Sequence, residues 1–188
     1  MSTSTTIALD PALTGDYTMD PGHSQIGFVA RHAMVTKVRG VFEKVSGTGH
    51  LDASDPSKSS LQVAIEVASV DTRNPDRDNH LRTNDFFDAP TYPEITFAST
   101  SVEPLDQEHF RVTGDLTIKE TTKPVTVDFE LTGPVQDPWG NSRIGLEGSV
   151  VVNRKDWGVN WNTALEAGGV LVGEKVTLTF EVAATKDA

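Results

Sequence analysis

Apolar side chains recur at every second residue through most of this 188-residue chain, and that spacing restricts the fold more than any other feature. Successive side chains of an extended strand point to opposite faces, so a period of two marks a sheet with one face on a core and the other in water. Ile26, Phe28, Ala30 and His32 share the inner face of a strand over Gln25 to Ala33, with Gln25, Gly27, Val29 and Arg31 opposite. Val38, Gly40 and Phe42 repeat the pattern, then Leu61, Val63, Ile65 and Val67, then Ile95, Phe97, Ser99 and Ser101. Later sets run Phe110 to Ile118, Val125 to Leu131, Ile144 to Val152 and Val176 to Val182. Turn-forming clusters such as DASDPSKS, ETTKP and DPWGNS separate them. Gly47 and Gly49 predict a bulge or sharp bend before Leu51.

About eight strands with two short helical pieces define an all-β chain, an antiparallel barrel or sandwich. Two features lean toward the barrel. Several strands run to about ten residues, as tilted strands around a closed sheet do. The inner faces also mix large groups (Phe28, Phe42, Phe97, Phe129) with small ones (Ala30, Gly40, Ser99, Gly114, Gly148). A barrel of this size can be filled by side chains or can hold one small ligand, and alternation alone does not choose.

One stretch breaks the pattern. DTRNPDRDNHLRTNDFFDAPTYPEITF, from Asp71 to Phe97, carries the chain between two strands over a distance far longer than the ~2–6 residues usual for such connections. Asn74-Pro75 can open a helical turn, and Leu81, Phe86 and Phe87 supply apolar residues to dock it. Arg73, Arg77 and Arg82 interleave with Asp76, Asp78 and Asp85, and for Arg77 and Asp78 a loop-pinning ion pair and ligand binding are both open readings. The prediction is a short helix and turn across one end of the β structure, aromatic residues inward. A second helical turn is expected over Asn153 to Gly158.

Residues 16–184 read as one domain, preceded by a frayed tail over 1–15. The net charge of -11 and a pI near 4.8 argue against nucleic acid and against an anionic membrane as a resting place. Without cysteine there is neither a disulfide nor a thiolate metal site. The first fifteen residues lack a basic start, an apolar run and a cleavage pattern, so the expected location is cytoplasmic. No stretch approaches the ~18 apolar residues of a membrane helix, and no stable membrane insertion is expected. The five histidines are scattered without ligand spacing, so no metal is expected. There is no GxSxG elbow beside His23-Ser24 and no glycine-rich phosphate loop, so neither a hydrolase triad nor a nucleotide cofactor is expected.

Five blocks in fixed order carry a resemblance: DPGHSQIGFVARH, VRGVF, DTRNPDRDNHLRTNDFFD with YPEITF, VTGDLTIKETTKPV and NRKDWGV. From Tyr17 to about Val182 the chain resembles the YceI-like family of lipocalin-like, polyisoprenoid-binding proteins. The resemblance implies an extended eight-stranded antiparallel barrel capped at one end by the helical crossing. It implies non-enzymatic binding, carriage or sequestration of a long-chain polyisoprenoid or similar amphiphilic lipid in the barrel interior. Phe28, Phe42, Ile65, Phe97, Leu116, Phe129 and Leu146 would then contact the tail, and Arg77, Asn79 and His80 would meet the head group. His32, placed inside by alternation, joins the candidate binding residues. Relatives are often homodimers. The chain departs from the family at Glu120, where glycine is common in the turn, and in the absence of an export signal. Two other readings stay open: an enzyme acting on an amphiphile through His32 or an Asp78/His80 acid–base pair, and a structural or stress-associated module with a filled core.

Overall fold

In the computed structural model, which describes residues 6–166 and 168–188, the alternating segments become strands of one closed antiparallel sheet. In chain order these are β1 (Gly15–Met19), β2 (Gln25–His32), β3 (Thr36–Phe42), β4 (Val45–Leu51), β5 (Ser60–Glu66), β6 (Val70–Asp71), β7 (Glu94–Pro104), β8 (His109–Ile118), β9 (Thr121–Gln136), β10 (Ser142–Asn153) and β11 (Val172–Lys186). The ring runs β1-β4-β5-β7-β8-β9-β10-β11 and returns to β1 through Tyr17↔Lys186 and Met19↔Ala184. It is an eight-stranded barrel. Closure leaves no edge along the ring, which removes the hazard of an unpaired strand.

Strands β2, β3 and β6 extend this ring at one end. The C-terminal part of β11 pairs with β1 and its N-terminal part with β2, so β1 and β2 act as one long strand interrupted at Pro21–His23. Proline has no N–H for a ladder, and the interruption is repaired by side chains. Asp20 accepts from the Gly22 N–H at 3.0 Å, and Ser24 Oγ accepts from the Ala183 N–H at 3.0 Å. The next two strands break beside it, β3 from β4 at Glu43-Lys44 and β5 from β6 at the Val67–Ser69 turn. There Ser69 accepts from the N–H groups of both Glu43 and Lys44.

Alternation and burial agree closely. Along β9, Val125, Val127, Phe129 and Leu131 are buried while Thr126, Asp128 and Glu130 are exposed. Each fully buried side chain of this kind stabilises the fold by ~1.5–3 kcal/mol. Gly47 and Gly49 make no bulge, contrary to expectation. They pair regularly with Val63 and Leu61. At Gly47 the reason is close approach, since a Cβ would lie 2.9 Å from Met19 Cε and 3.0 Å from Gln62 O.

Residues 1–5 of the expected tail lie outside the described residues. The packed part of the chain begins earlier than residue 16, because Asp10 caps a single turn over Pro11–Leu13 and Leu13 is buried in the core. The crossing contains one α-helix, α1 (Pro75–Arg82), with the Asn74 side chain accepting from the Arg77 N–H at 3.0 Å. Proline at the first helical position and an asparagine cap explain why the helix starts there. The turn expected after Asn153 is present over Arg154–Trp157, and Trp157 Nε1–H donates to Leu116 O at 2.9 Å. At Glu120 the β8–β9 turn places positive φ on Lys119 (57°) instead, so residue 120 has no need of glycine.

Candidate functional site: an apolar cavity beneath the cap

The inward side chains do not meet in the middle. They surround a cavity of ≈ 240 Å³ with an almost wholly apolar wall. That is well above the ~10–15 Å³ a cavity needs to admit a single water.

Three phenylalanines show how the space stays open. Phe28 stands opposite Gly40 in the β2–β3 ladder, Phe97 is two pairs removed from Gly114 across β7–β8, and Phe129 stands opposite Gly148 across β9–β10. In each case the ring lies across the neighbouring glycine. The three atoms nearest to a Cβ at Gly40 would all belong to the Phe28 ring, with Cε1 at 2.6 Å, and one at Gly148 would meet Asp128 O at 2.7 Å and Phe129 Cδ1 at 2.9 Å. Rings laid flat against a wall of bare backbone cover that backbone without projecting into the centre. The mixture of large and small inner residues therefore works as matched pairs.

All seven expected tail residues, Phe28, Phe42, Ile65, Phe97, Leu116, Phe129 and Leu146, stand on the cavity wall. The crossing closes one end with Leu81, Phe86 and Phe87, and the Phe87 ring meets Phe42 edge-on at 6.0 Å between centroids. Tyr17 also lies on the wall, but its hydroxyl is turned away and donates to Leu13 O at 2.8 Å.

The four polar candidates are placed elsewhere. His32 is exposed at the end of β2, beyond the last wall residue of that strand, Ala30. Arg77 makes no ion pair with Asp78; both converge on Thr72. The Thr72 N–H and hydroxyl donate to Asp78 Oδ1 at 2.8 and 2.6 Å, while Arg77 donates to Thr72 Oγ1 and Thr72 O, each at 2.7 Å. Asn79 is exposed and accepts from Arg82 at 2.9 Å. His80 Nε2 is 2.8 Å from Asp85 Oδ2, and its ring meets Phe86 and Trp161 edge-on at 5.0 and 4.7 Å between centroids. These groups hold the cap together. The Asp78/His80 acid–base pair is not made, since Asp78 is buried against Thr72 and His80 faces Asp85. Among the described residues no three His, Asp or Glu side chains gather in a way that could hold a metal ion.

The charged residue that does reach the wall is Arg154. It is buried, and its guanidinium donates to three carbonyls, Val159 O at 2.6 Å, Gly173 O at 2.9 Å and Val172 O at 3.2 Å. Burial pushes its pKa below the usual arginine value, with the Glu174 charge pulling the other way. Among the described residues no carboxylate lies within ion-pair distance of it. A signal for it existed. The odd-even spacing from Ile144 through Val152, read two residues further, puts Arg154 on the inner face.

An up-and-down ring of eight strands around an apolar hollow is the architecture of a lipocalin-like barrel. The chain belongs to the YceI-like family, whose model, described as a YceI-like domain, matches residues 17–184. It is 40% identical over 148 residues to the UPF0312 protein plu2095 of Photorhabdus laumondii, covering 78% of this chain and 77% of that one. It is 37% identical over 170 residues to the UPF0312 protein SAS2572 of Staphylococcus aureus, covering 90% and 95%. Among solved structures, Burkholderia cenocepacia BcnA superposes with a TM-score of 0.77 at 28% identity, covering 89% of this chain and 99% of that one. A polyisoprenoid binding domain from Saccharophagus degradans shares the fold, with a TM-score of 0.69 at 14% identity over 91% and 98% of the two chains.

Proposed function

We propose that the protein is a non-enzymatic carrier or sequestering protein for a polyisoprenoid or similar amphiphilic lipid, held with its tail in the barrel. The observation that carries this reading is the cavity itself: ≈ 240 Å³ of space bounded by apolar side chains beneath an aromatic cap. Filling it with hydrocarbon gains ~25 cal/mol per Å2 of apolar surface removed from water, which favours a chain over a polar substrate. The name of the Saccharophagus degradans neighbour, a polyisoprenoid binding domain, agrees with a branched chain of this kind. Arg154 supplies a fixed positive charge where an anionic head would sit. The filled-core reading is disfavoured by the hollow, and the two catalytic readings by the positions of His32 and of Asp78 and His80.

Gentle purification followed by native mass spectrometry and lipid extraction tests the proposal. The expected result is a co-purifying lipid, or stoichiometric uptake of a polyprenyl phosphate by protein stripped of it. No lipid and no uptake would overturn it.

A further inference from the structure

The net charge of -11 conceals a local reversal. Between Asp20 and Glu43 there is no Asp or Glu, while Arg31, Lys37 and Arg39 all fall in that interval. The β2–β3 ladder puts these three on one outer face, with Arg31 directly opposite Lys37 and Arg39 opposite Val29. All three are exposed. Like charges set opposite each other destabilise a sheet, so this arrangement works against the hairpin that carries it. Among the described residues none of the three has a carboxylate within ion-pair distance. Glu174, at the adjoining start of β11, is occupied by Lys155 at 2.8 Å.

The tip of the same hairpin breaks a second local rule. Ala33 and Met34 hold φ values of 50° and 61°, and the Val35 N–H donates to His32 O at 3.0 Å. Positive φ at both central positions of a tight hairpin turn suits Asn-Gly. Here an alanine and a methionine take those places, and Met34 and Val35 are 62% and 74% exposed. An apolar tip on a basic stem, with no aromatic side chain on its outer face to stack a base, fits a lipid surface better than a nucleic acid.

The hairpin also stands at the appropriate end of the barrel. Ala30 and Val172 line the cavity, His32 pairs with Val172, and Arg154 donates to Val172 O. At ~3.3 Å per residue, His32 lies roughly 7 Å beyond Ala30 along the strand, and the Ala33-Met34 turn stands past it. Trp139, 80% exposed, is at the opposite end, where Arg143 is tied up by both Asp20 and Asp137. One flat surface cannot receive both ends.

We propose that the β2–β3 hairpin docks the protein on an anionic lipid bilayer, Met34 and Val35 entering the headgroup boundary and Arg31, Lys37 and Arg39 meeting lipid phosphates. The inference rests on the carrier reading for its purpose, while its geometry stands without it. The test is co-sedimentation of the full chain with vesicles of phosphatidylcholine alone and of phosphatidylcholine mixed with phosphatidylglycerol, at low and high salt. Polyprenyl phosphate uptake from detergent is measured in parallel. Salt-sensitive binding to the mixed vesicles alone is expected. Replacing Arg31, Lys37 and Arg39 together by Gln weakens it about a hundredfold, at about fivefold per cation. Met34→Asn with Val35→Ser weakens it about tenfold. Trp139→Ala leaves it unchanged, and the triple Gln variant melts no lower than the parent because a repulsion has been removed.

Equal binding to both vesicles, binding to neither, loss through Trp139→Ala instead of the hairpin variants, or preference for a single-stranded oligonucleotide would each overturn the proposal. Uptake without vesicle binding sinks the docking and leaves the carrier. Vesicle binding without uptake supports the docking and sinks the carrier.

Discussion

Gly40→Ala is the sharpest test of how the cavity stays open. The nearest atoms to the added methyl are those of the Phe28 ring, and φ at Gly40 lies outside the left-handed region, so alanine fits the backbone. The ring has to give way, and the space available to it is the cavity. A displaced phenyl group takes the room of about three methylenes, and at ~0.8 kcal/mol per buried CH₂ the tail loses about 2.4 kcal/mol. That is roughly a sixtyfold rise in Kd. Stability falls by about 0–2.6 kcal/mol, since the lost freedom of the unfolded chain favours alanine by ~0.4–1 kcal/mol against ~1–3 kcal/mol for repacking the ring. The assay is titration of the stripped protein with geranylgeranyl phosphate, alongside a thermal melt. Phe28→Ala in the Gly40→Ala background restores the room and should recover most of the affinity. A folded Gly40→Ala protein that binds as the parent does, or a double variant that recovers nothing, would refute the account of rings held against glycines.

Trp157→Phe removes the buried indole donor to Leu116 O, a hydrogen bond worth ~0.5–1.5 kcal/mol net. In a domain of this size that lowers Tm by about 2–4 °C for each kcal/mol, readable by calorimetry. Thr72→Val removes the hydroxyl on which Asp78 and Arg77 converge, and hydrogen exchange over residues 75–90 should quicken while the β9 core stays protected. Arg143, and secondarily His23, hold the Asp20 carboxyl down at about 2, below its value in an unfolded chain. A lowered folded-state pKa stabilises the protein above the unfolded value, and that contribution is lost as pH falls from about 4 toward 2. Between pH 5 and 2 the parent's Tm should therefore fall more steeply than that of Asp20→Asn; parallel curves would show that the Arg143 contact is not felt.

Strand faces were legible in the sequence because a period of two has one physical cause, a half-buried sheet, and this chain keeps it in its strands from Ile26 to Val182. The helix of the crossing was legible for a similar reason: Asn74 and Pro75 satisfy the two requirements of a helix start within adjacent residues. Parity, however, says which way a side chain points and not where the wall ends. His32 has the parity of Phe28 yet projects past the rim, and Arg154, of the same parity as Ile144, falls just inside it. The roles of Arg77, Asn79 and His80 were illegible because they lie in a helix and a loop, where alternation has no meaning. Their partners Thr72, Arg82 and Asp85 are chosen by how the crossing folds back on itself. Pairing of Phe28 with Gly40 is a fact of register, invisible until the ladder is drawn.

The interruptions in the first three strands give the barrel a seam. Beyond them β2, β3 and β6 form a leaf that, among the described residues, shares a ladder with the ring only along β11. Among the described residues no ladder joins β6 to β7. That gap is fastened at its root by the Val67 N–H donating to Pro93 O and is otherwise shut by the crossing alone. Under the carrier proposal, a greasy guest admitted beside Phe87 would part side chains rather than unzip sheet, because the weave is untied there.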